Sequence, residues 1–258
     1  MSPRLTTRKG TAGFIGASLL LAALALGGTR LAPVASGPAP RLDAVAVAQL
    51  QVQASTGQDL QASTGLATQA RAGNALAQRA WGLVLLKIGS PTEGLRWLHA
   101  AAAQGDADAQ VALGKHYLHG SPQLPRDYAQ ALHWFGLAGQ QHNAAAAYYL
   151  GVLYANGYGV PANPSQAFTW FDMAAQDGQP AALFMLGNAY REGNGVRVNF
   201  AKAIAALEAA AEQEHPQALQ TLAMAYQHGE MGLRPSPTQA AYYMAETAHA
   251  LKHPPIEP

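Results

Sequence analysis

A pattern that recurs about every 36 residues constrains this chain more than any other feature of its sequence. Four tyrosines stand 37, 36 and 36 residues apart: Tyr117, Tyr154, Tyr190 and Tyr226. Each is preceded at the same offset by Leu-Gly, or by Leu-Ala in the last copy, and each is followed three residues later by a glycine. A fixed period of this length is typical of repeat proteins, in which each unit buries its apolar face only against its neighbours. The sequence therefore predicts a stack of similar units.

The first half of each repeat has the pattern of an amphipathic helix. Ala109, Leu113 and Tyr117 are spaced i, i+4 and i+8, which places them in one apolar stripe. Gly114 lies beside this stripe, where the absence of a side chain lets another helix approach closely. Gly120 follows the tyrosine and is expected to end the helix, because glycine tolerates the positive φ of that position.

A second helix is predicted in each repeat, because a capping residue recurs at a fixed place after the tyrosine. Proline follows the capping residue directly in three copies, and Glu93 stands three residues after Ser90 as in a capping box. Seven residues after each cap the copies carry Trp97, Trp134, Trp170, Ala206 and Tyr243. This fixed place predicts packing between helix pairs in preference to a row of sugar-stacking aromatics. The caps are Ser90, Asp127, Asn163, Asn199 and Ser236.

The glycine-rich stretch Gly157-Tyr158-Gly159 could be taken for a phosphate-binding loop. Such a loop follows a β-strand and carries further glycines or a Lys-Ser/Thr pair, none of which is present here. The stretch falls between two predicted helices instead. It is therefore predicted to be a helix-to-helix connector.

Three stretches carry a resemblance to a known family: "AQVALGKHYLHG", "AAYYLGVLYANGYGV" and "ALFMLGNAYREGNGV". Together with the segments that follow them, they resemble the Sel1-like repeat family, which is related to the tetratricopeptide repeats. The resemblance implies an all-α fold, a right-handed α/α solenoid of about five helix-pair repeats over residues 59–251, with a half-repeat at Asp59 to Ala72. It also implies an adaptor or scaffold that assembles protein complexes and is not an enzyme. A cysteine-rich branch linked to β-lactam hydrolysis is excluded as a guide, because this chain has no cysteine.

The two ends of the chain differ from the repeats. Arg4, Arg8 and Lys9 precede an uncharged, largely apolar run from Thr11 to Thr29. Residues 1–30 are therefore predicted to be a signal peptide or an uncleaved N-terminal membrane anchor, and the protein to be exported. We expect it to be periplasmic or secreted, with attachment to the inner membrane as the alternative. Residues 31–58 are predicted to be a linker in which Leu42 to Gln53 can form a short helix, and residues 252–258 a proline-rich tail.

Charge and motifs exclude several classes of function. The net charge is +1, and it becomes about neutral without the three basic residues of the leader, so no nucleic-acid partner is predicted. His116 and His119 are three residues apart on a helix but have no evident third metal ligand. Hydrolase motifs such as HExxH and GxSxG are absent from the sequence. We therefore predict neither a metal, nor a cofactor, nor catalysis, and the sequence does not indicate an oligomeric state.

By the resemblance, the first helices line the concave surface of the superhelix, and a protein or peptide partner is expected to bind there. Tyr149, Met185 and Met224 are apolar or amphipathic where a solvated face would carry charge. Ordinary packing against a neighbouring helix is the alternative for these residues, and we expect Tyr149→Ala to leave the fold intact. Two other roles stay open: a structural part of an envelope secretion or conjugation assembly, and, as a weaker candidate, a peptidoglycan-binding or hydrolase-related envelope protein. The candidate groove residues are Lys115, His119, Tyr149, Asn156, Met185, Asn188, Glu192, Met224 and His228.

Overall fold

The computed structural model of the chain describes residues 42–56, 59–122 and 124–252. These residues form twelve α-helices and one 3-10 turn, Glu230–Gly232. The predicted leader and the tail from residue 253 onward lie outside the described residues. None of the described helices is long and apolar enough to cross a membrane. In chain order the helices are α1 Ala44–Ala54, α2 Leu60–Arg71, α3 Ala75–Lys87, α4 Pro91–Ala103, α5 Ala107–His119, α6 Tyr128–Gly139, α7 Ala144–Asn156, α8 Pro164–Gln176, α9 Pro180–Glu192, α10 Phe200–Ala211, α11 Pro216–His228 and α12 Pro237–Lys252.

The chain divides into two compact units, Met1–Gly94 and Leu95–Pro258. In the first unit α1, α2 and α3 pack on one another. Helix α1 lies where the sequence predicts a short helix, and it begins at Asp43, whose carboxylate accepts a hydrogen bond from the Ala46 N–H at 2.8 Å. Helix α2 begins in the same way at Asp59. It forms the helix of the predicted half-repeat.

In the second unit each helix from α5 to α12 packs on the next helix along the chain. The predicted all-α fold of consecutive helix pairs is therefore confirmed. The Gly157-Tyr158-Gly159 stretch connects α7 to α8, as predicted, and Gly157 adopts the left-handed conformation at the end of α7. Because it joins two helices, this stretch lacks the strand that a phosphate-binding loop requires.

Side-chain caps fix the start of most helices in this unit. Asp127, Asn163 and Asn199 each accept a hydrogen bond from the N–H three residues later, at 3.0 to 3.1 Å. The sequence analysis missed a second series of caps at the first helices, formed by Asp106, Asn143 and His215. The exception is Gln179 before α9, which makes no capping bond and whose buried amide atoms have no hydrogen-bond partner.

The repeated glycine allows the two helices of a repeat to touch, as predicted. A Cβ atom added to Gly151 would lie 2.5 Å from a ring carbon of Phe171, which is closer than two non-bonded carbons can approach. The equivalent glycines meet the equivalent side chains at 2.6 to 2.7 Å. The contact is therefore the same in three successive repeats: Gly114 with Phe135, Gly151 with Phe171, and Gly187 with Leu207.

A buried core position lies one residue after the repeated tryptophan. Phe135 and Leu207 are 0% exposed and Phe171 is 4% exposed, whereas Trp134 and Trp170 are half-buried. Trp170 still packs between repeats, since it lies against Gly139 and the cluster around Leu150. The tryptophans thus lie at the edge of the core, and the following residue lies inside it.

Acidification below about pH 6.5 is expected to destabilise the fold through three histidines. Burial lowers the pKa of His99, His116 and His215 from 6.5, and the nearby His119 lowers that of His116 further. The unfolded chain then binds more protons than the folded chain, so stability that is present above pH 6.5 is lost as the pH falls toward the lowered pKa. At His215 protonation would also remove the Nδ1 acceptor that caps α11, 3.3 Å from the Ala218 N–H.

The measurement is the melting temperature by circular dichroism between about pH 8 and pH 5. His215→Asn keeps a capping oxygen but does not titrate in this range, so its melting temperature should fall less steeply than that of the wild type. Identical profiles for the two proteins would show that His215 does not contribute to the loss of stability at low pH.

Candidate functional site: the first-helix face

The nine predicted groove residues lie on the four first helices α5, α7, α9 and α11, and we call the surface they form the first-helix face. None of them is fully buried. Lys115, Tyr149, Met185 and Asn188 are half-buried. The exposed members are His119, Asn156, Glu192, Met224 and His228.

Tyr149 is held by contacts within the protein. Its ring stacks on that of Phe135, with centroids 4.8 Å apart and an interplanar angle of 9°. The ammonium group of Lys115 lies 5.2 Å from the centroid of the Tyr149 ring, within the range of a cation–π contact. Packing against a neighbour, the alternative raised for this residue, therefore describes it better than an open binding position. Tyr149→Ala is accordingly expected to cost some stability, in contrast to the expectation from sequence.

One repeat further along, the equivalent space is open. Met185 stands 36 residues after Tyr149, and Phe171 stands 36 residues after Phe135. The thioether side chain is narrower than a tyrosine ring, and a cleft of about 330 Å³ lies beside it. Helices α7 and α9 each pack on α8, and all three contribute to the walls. The lining residues are Ala155, Pro164, Ala167, Phe168, Phe171, Met185, Asn188, Ala189, Glu192 and Asn194.

Asn188, one of the lining residues, carries an unsatisfied polar atom. Its Oδ1 is enclosed and has no hydrogen-bond partner. The residues at the same repeat position, Val152 and Met224, are apolar. A buried acceptor without a donor costs free energy unless ordered water satisfies it, and the buried amide atoms of Gln179 are in the same state.

The rim of the cleft is polar and internally paired. Glu192 Oε1 lies 2.7 Å from Nη2 of Arg191, and Glu192 Oε2 accepts a hydrogen bond from Nδ2 of Asn194 at 2.9 Å. The carboxylate is therefore held in place and its charge is largely balanced. An apolar cleft with a few fixed polar groups is the usual character of a ligand-binding site.

The part of the chain that the structure describes contains no cluster of side chains that could bind a metal ion. No three His, Cys, Asp or Glu side chains there lie close enough to hold one ion. His116 and His119 stay a pair on α5, without the third ligand that the sequence analysis looked for.

Comparison with known proteins identifies the repeats. The family model described as "Sel1 repeat" matches five consecutive segments, residues 75–106, 107–143, 144–179, 180–215 and 216–250. Each segment begins at a first helix, so the matched boundaries agree with the helix pairs α3–α4 through α11–α12. No curated protein resembles the chain closely enough in sequence to count as a relative.

Solved structures agree with the family match. A Sel1 repeat protein from Oxalobacter formigenes is 25% identical, with a TM-score of 0.72 over 81% of this chain and 88% of that one. A protective antigen present in uropathogenic Escherichia coli strains is 23% identical, with a TM-score of 0.56, and the match covers 80% of this chain and 54% of the antigen. PilF of Pseudomonas aeruginosa is 17% identical, with a TM-score of 0.57 over 81% of this chain and 92% of that one. The last two similarities concern the fold alone.

Proposed function

This chain belongs to the Sel1 repeat family, whose members are generally non-catalytic scaffolds that bind protein partners, and from that premise we propose that it is an exported scaffold that binds a protein or peptide on its first-helix face. The cleft between α7, α8 and α9 is the observation that carries this proposal. Its lining is largely apolar, and it lies on the face where the sequence predicted binding.

Met224 on α11 supports the same surface. Its side chain is 39% exposed, although exposed positions of helices usually carry charged or polar residues. Exposed apolar side chains next to a cleft with a polar rim are characteristic of protein interaction sites. The first-helix face thus offers apolar contact at two neighbouring repeats.

The test is a quantitative affinity capture from cells that express the protein, comparing two single substitutions. Met224→Glu places a charge on the first-helix face, whereas Met244→Glu places the same charge on α12, where Met244 is 50% exposed. We expect a captured partner to be reduced about tenfold or more by Met224→Glu and to be unchanged by Met244→Glu. Equal recovery with both variants would refute binding at this face.

Export is proposed from the leader, which lies outside the described residues. The basic start and the apolar run Phe14 to Leu26 have the order of a secretory signal. Cell fractionation together with N-terminal sequencing of the mature protein tests this. Recovery only in the cytoplasmic fraction, with the leader intact, would refute export.

The same apolar run favours a second candidate, a structural component of an envelope assembly that is held in the inner membrane by its N-terminal helix. The two candidates differ in the mature protein. A soluble scaffold should lose the segment from Thr11 to Gly28, whereas an anchored component should keep it and extract with membranes.

A further inference from the structure

Two Asn-Gly pairs occur in the sequence, Asn156-Gly157 where α7 ends and Asn194-Gly195 just after α9. Asparagine is chemically labile, and most of all before glycine, because a residue without a side chain lets its backbone nitrogen approach the asparagine amide closely. We propose that Asn194 is a site of spontaneous deamidation, whereas the fold protects Asn156, which has the same neighbour.

The reaction needs water as its co-reactant and nothing else. The backbone nitrogen of Gly195 loses its proton and attacks Cγ of Asn194. A bond between these two atoms forms while the bond from Cγ to Nδ2 breaks, so ammonia leaves and a succinimide ring closes. Water then opens the ring at one of its two carbonyl carbons. The products are aspartate and isoaspartate, in which the backbone runs through the former side chain, and each product carries a new negative charge.

The attacking nitrogen is not held by a hydrogen bond at the first of these pairs to react. Within the described residues the Gly195 N–H has no acceptor, although the N–H groups of the two residues before it both donate to the Ala189 carbonyl. Asn194 lies outside the helix and is exposed. Its Nδ2 donates to Glu192 Oε2 at 2.9 Å, at the surface, where water competes for such a bond. Both reacting groups of the Asn194-Gly195 pair are therefore available.

At Asn156 both reacting groups are engaged, although this residue is exposed as well. Asn156 is the last residue of α7, and the N–H of Gly157 donates to the Leu153 carbonyl. The side-chain Nδ2 of Asn156 donates to the Val152 carbonyl at 2.8 Å. The end of α7 has to open before the nitrogen can attack, and opening costs the free energy of these bonds. Deamidation at Asn156 is slower for that reason.

The fold itself requires the glycine that makes Asn194 reactive. Gly195 has a φ of 77°, and a Cβ added to it would collide with the Pro164 carbonyl. The connector of the preceding repeat has the same form at Gly159, where φ is 73° and an added Cβ would meet the backbone of Tyr128. The residue before Gly159 is Tyr158, which has no amide to lose. The reactive pair thus combines a glycine that the connector needs with an asparagine that it does not need.

Deamidation changes the rim of the cleft, because Glu192 and Asn194 both belong to its lining. The product carries a carboxylate where the amide donated to Glu192, so repulsion between like charges replaces a hydrogen bond. Isoaspartate also lengthens the backbone by a methylene group, directly before the close contact of Gly195 with Pro164. The connector then has to shift against the start of α8. Isoaspartate therefore disturbs this part of the fold more than aspartate does.

The experiment ages the full chain in mildly alkaline buffer and follows both Asn-Gly pairs by peptide mapping with mass spectrometry. An isoaspartyl methyltransferase labels the isoaspartate. We expect the deamidated fraction to grow about tenfold faster or more at Asn194 than at Asn156, because opening the end of α7 costs at least about one hydrogen bond. Equal rates at the two sites, or no product at Asn194, would overturn the proposal.

Ageing in urea is the control for the local sequence. Unfolding removes the hydrogen bonds at the end of α7, so Asn156 should then react at nearly the same rate as Asn194. If the tenfold difference persisted in urea, protection by the fold would be refuted.

A second measurement tests the effect on the connector with two variants. Asn194→Gln keeps an amide but places it on a longer side chain, where ring closure is much slower. The melting temperature should fall in the isoaspartate fraction of the aged wild type, isolated by ion exchange, and should stay unchanged in aged Asn194→Gln. Asn194→Asp, which carries the charge without the extra methylene group, should melt between the two. An isoaspartate fraction that melts like fresh protein would overturn the effect on the connector.

Discussion

Gly151→Ala should lower the free energy of unfolding by about 3 kcal/mol, the upper part of the usual cost of overpacking a core. The added methyl carbon would lie 2.5 Å from Cε1 and 2.6 Å from Cδ1 of Phe171. Phe171 is buried, so its ring cannot turn into solvent, and α7 and α8 have to move apart. Gly151→Leu should be worse, because the whole side chain meets the same ring. Urea unfolding followed by circular dichroism measures the change.

Gly136→Ala is the matched control for this substitution. Gly136 lies inside helix α6, and a Cβ added there meets no atom within 4 Å. The same change should therefore stabilise the protein by about 0.5–1 kcal/mol, because alanine loses less backbone entropy than glycine in a helix. The account predicts opposite signs for the two variants. A stability loss of the same size in both would mean that the helix contact at Gly151 is not the cause.

Phe135→Ala should cost about 4 kcal/mol, within the range for removal of a fully buried aromatic ring. Phe135 is 0% exposed, packs over Gly114 and supports the ring of Tyr149. Its loss leaves a cavity at the contact between α5 and α6 and also loosens the Lys115–Tyr149 pair. Unfolding in urea measures the cost, and near-ultraviolet circular dichroism reports the environment of the tyrosines.

Phe200→Ala provides the comparison for Phe135→Ala. Phe200 is 45% exposed at the first position of α10, so the same change in side chain removes little buried surface. We expect a cost below about 1 kcal/mol. Similar costs for the two phenylalanines would contradict the assignment of Phe135 to the centre of the core.

The features of the fold that follow from local chemistry could be predicted from the sequence. The caps Asp127, Asn163 and Asn199 are recognisable because a short polar side chain satisfies the free N–H groups at a helix start. The close contact at Gly151 follows from the recurrence of the glycine beside an apolar stripe. These signals depend on residues within a few positions of one another, so a single sequence contains them.

The repeat period alone does not show which of two adjacent aromatic residues lies in the core. Trp170 follows Trp134 by the same number of residues as Phe171 follows Phe135. Both series therefore recur as core residues are expected to recur. Neighbouring positions on a helix point about 100° apart, and packing with the partner helix decides which one is central. The contact with the repeated glycine selects the phenylalanines.

The cleft could not be predicted from the sequence either. The sequence pattern assigns Met185 and Tyr149 alike to the first-helix face and gives no reason to treat them differently. The difference arises from volume, since the tyrosine ring covers Phe135 whereas Met185 leaves a space beside Phe171. The unsatisfied oxygen of Asn188 becomes visible only when its surroundings are known.

The central claim is that the partner binds on the first-helix face, and site-specific photo-cross-linking tests it most directly. A benzophenone amino acid is placed in turn at Asn156, Met224, Tyr242 and Met244, all of which are exposed, in cells that express the full chain. The account predicts one shared cross-linked partner from Asn156 and Met224 of α7 and α11, and none from Tyr242 and Met244 of α12. A partner that cross-links through α12 and not through the first helices would contradict it.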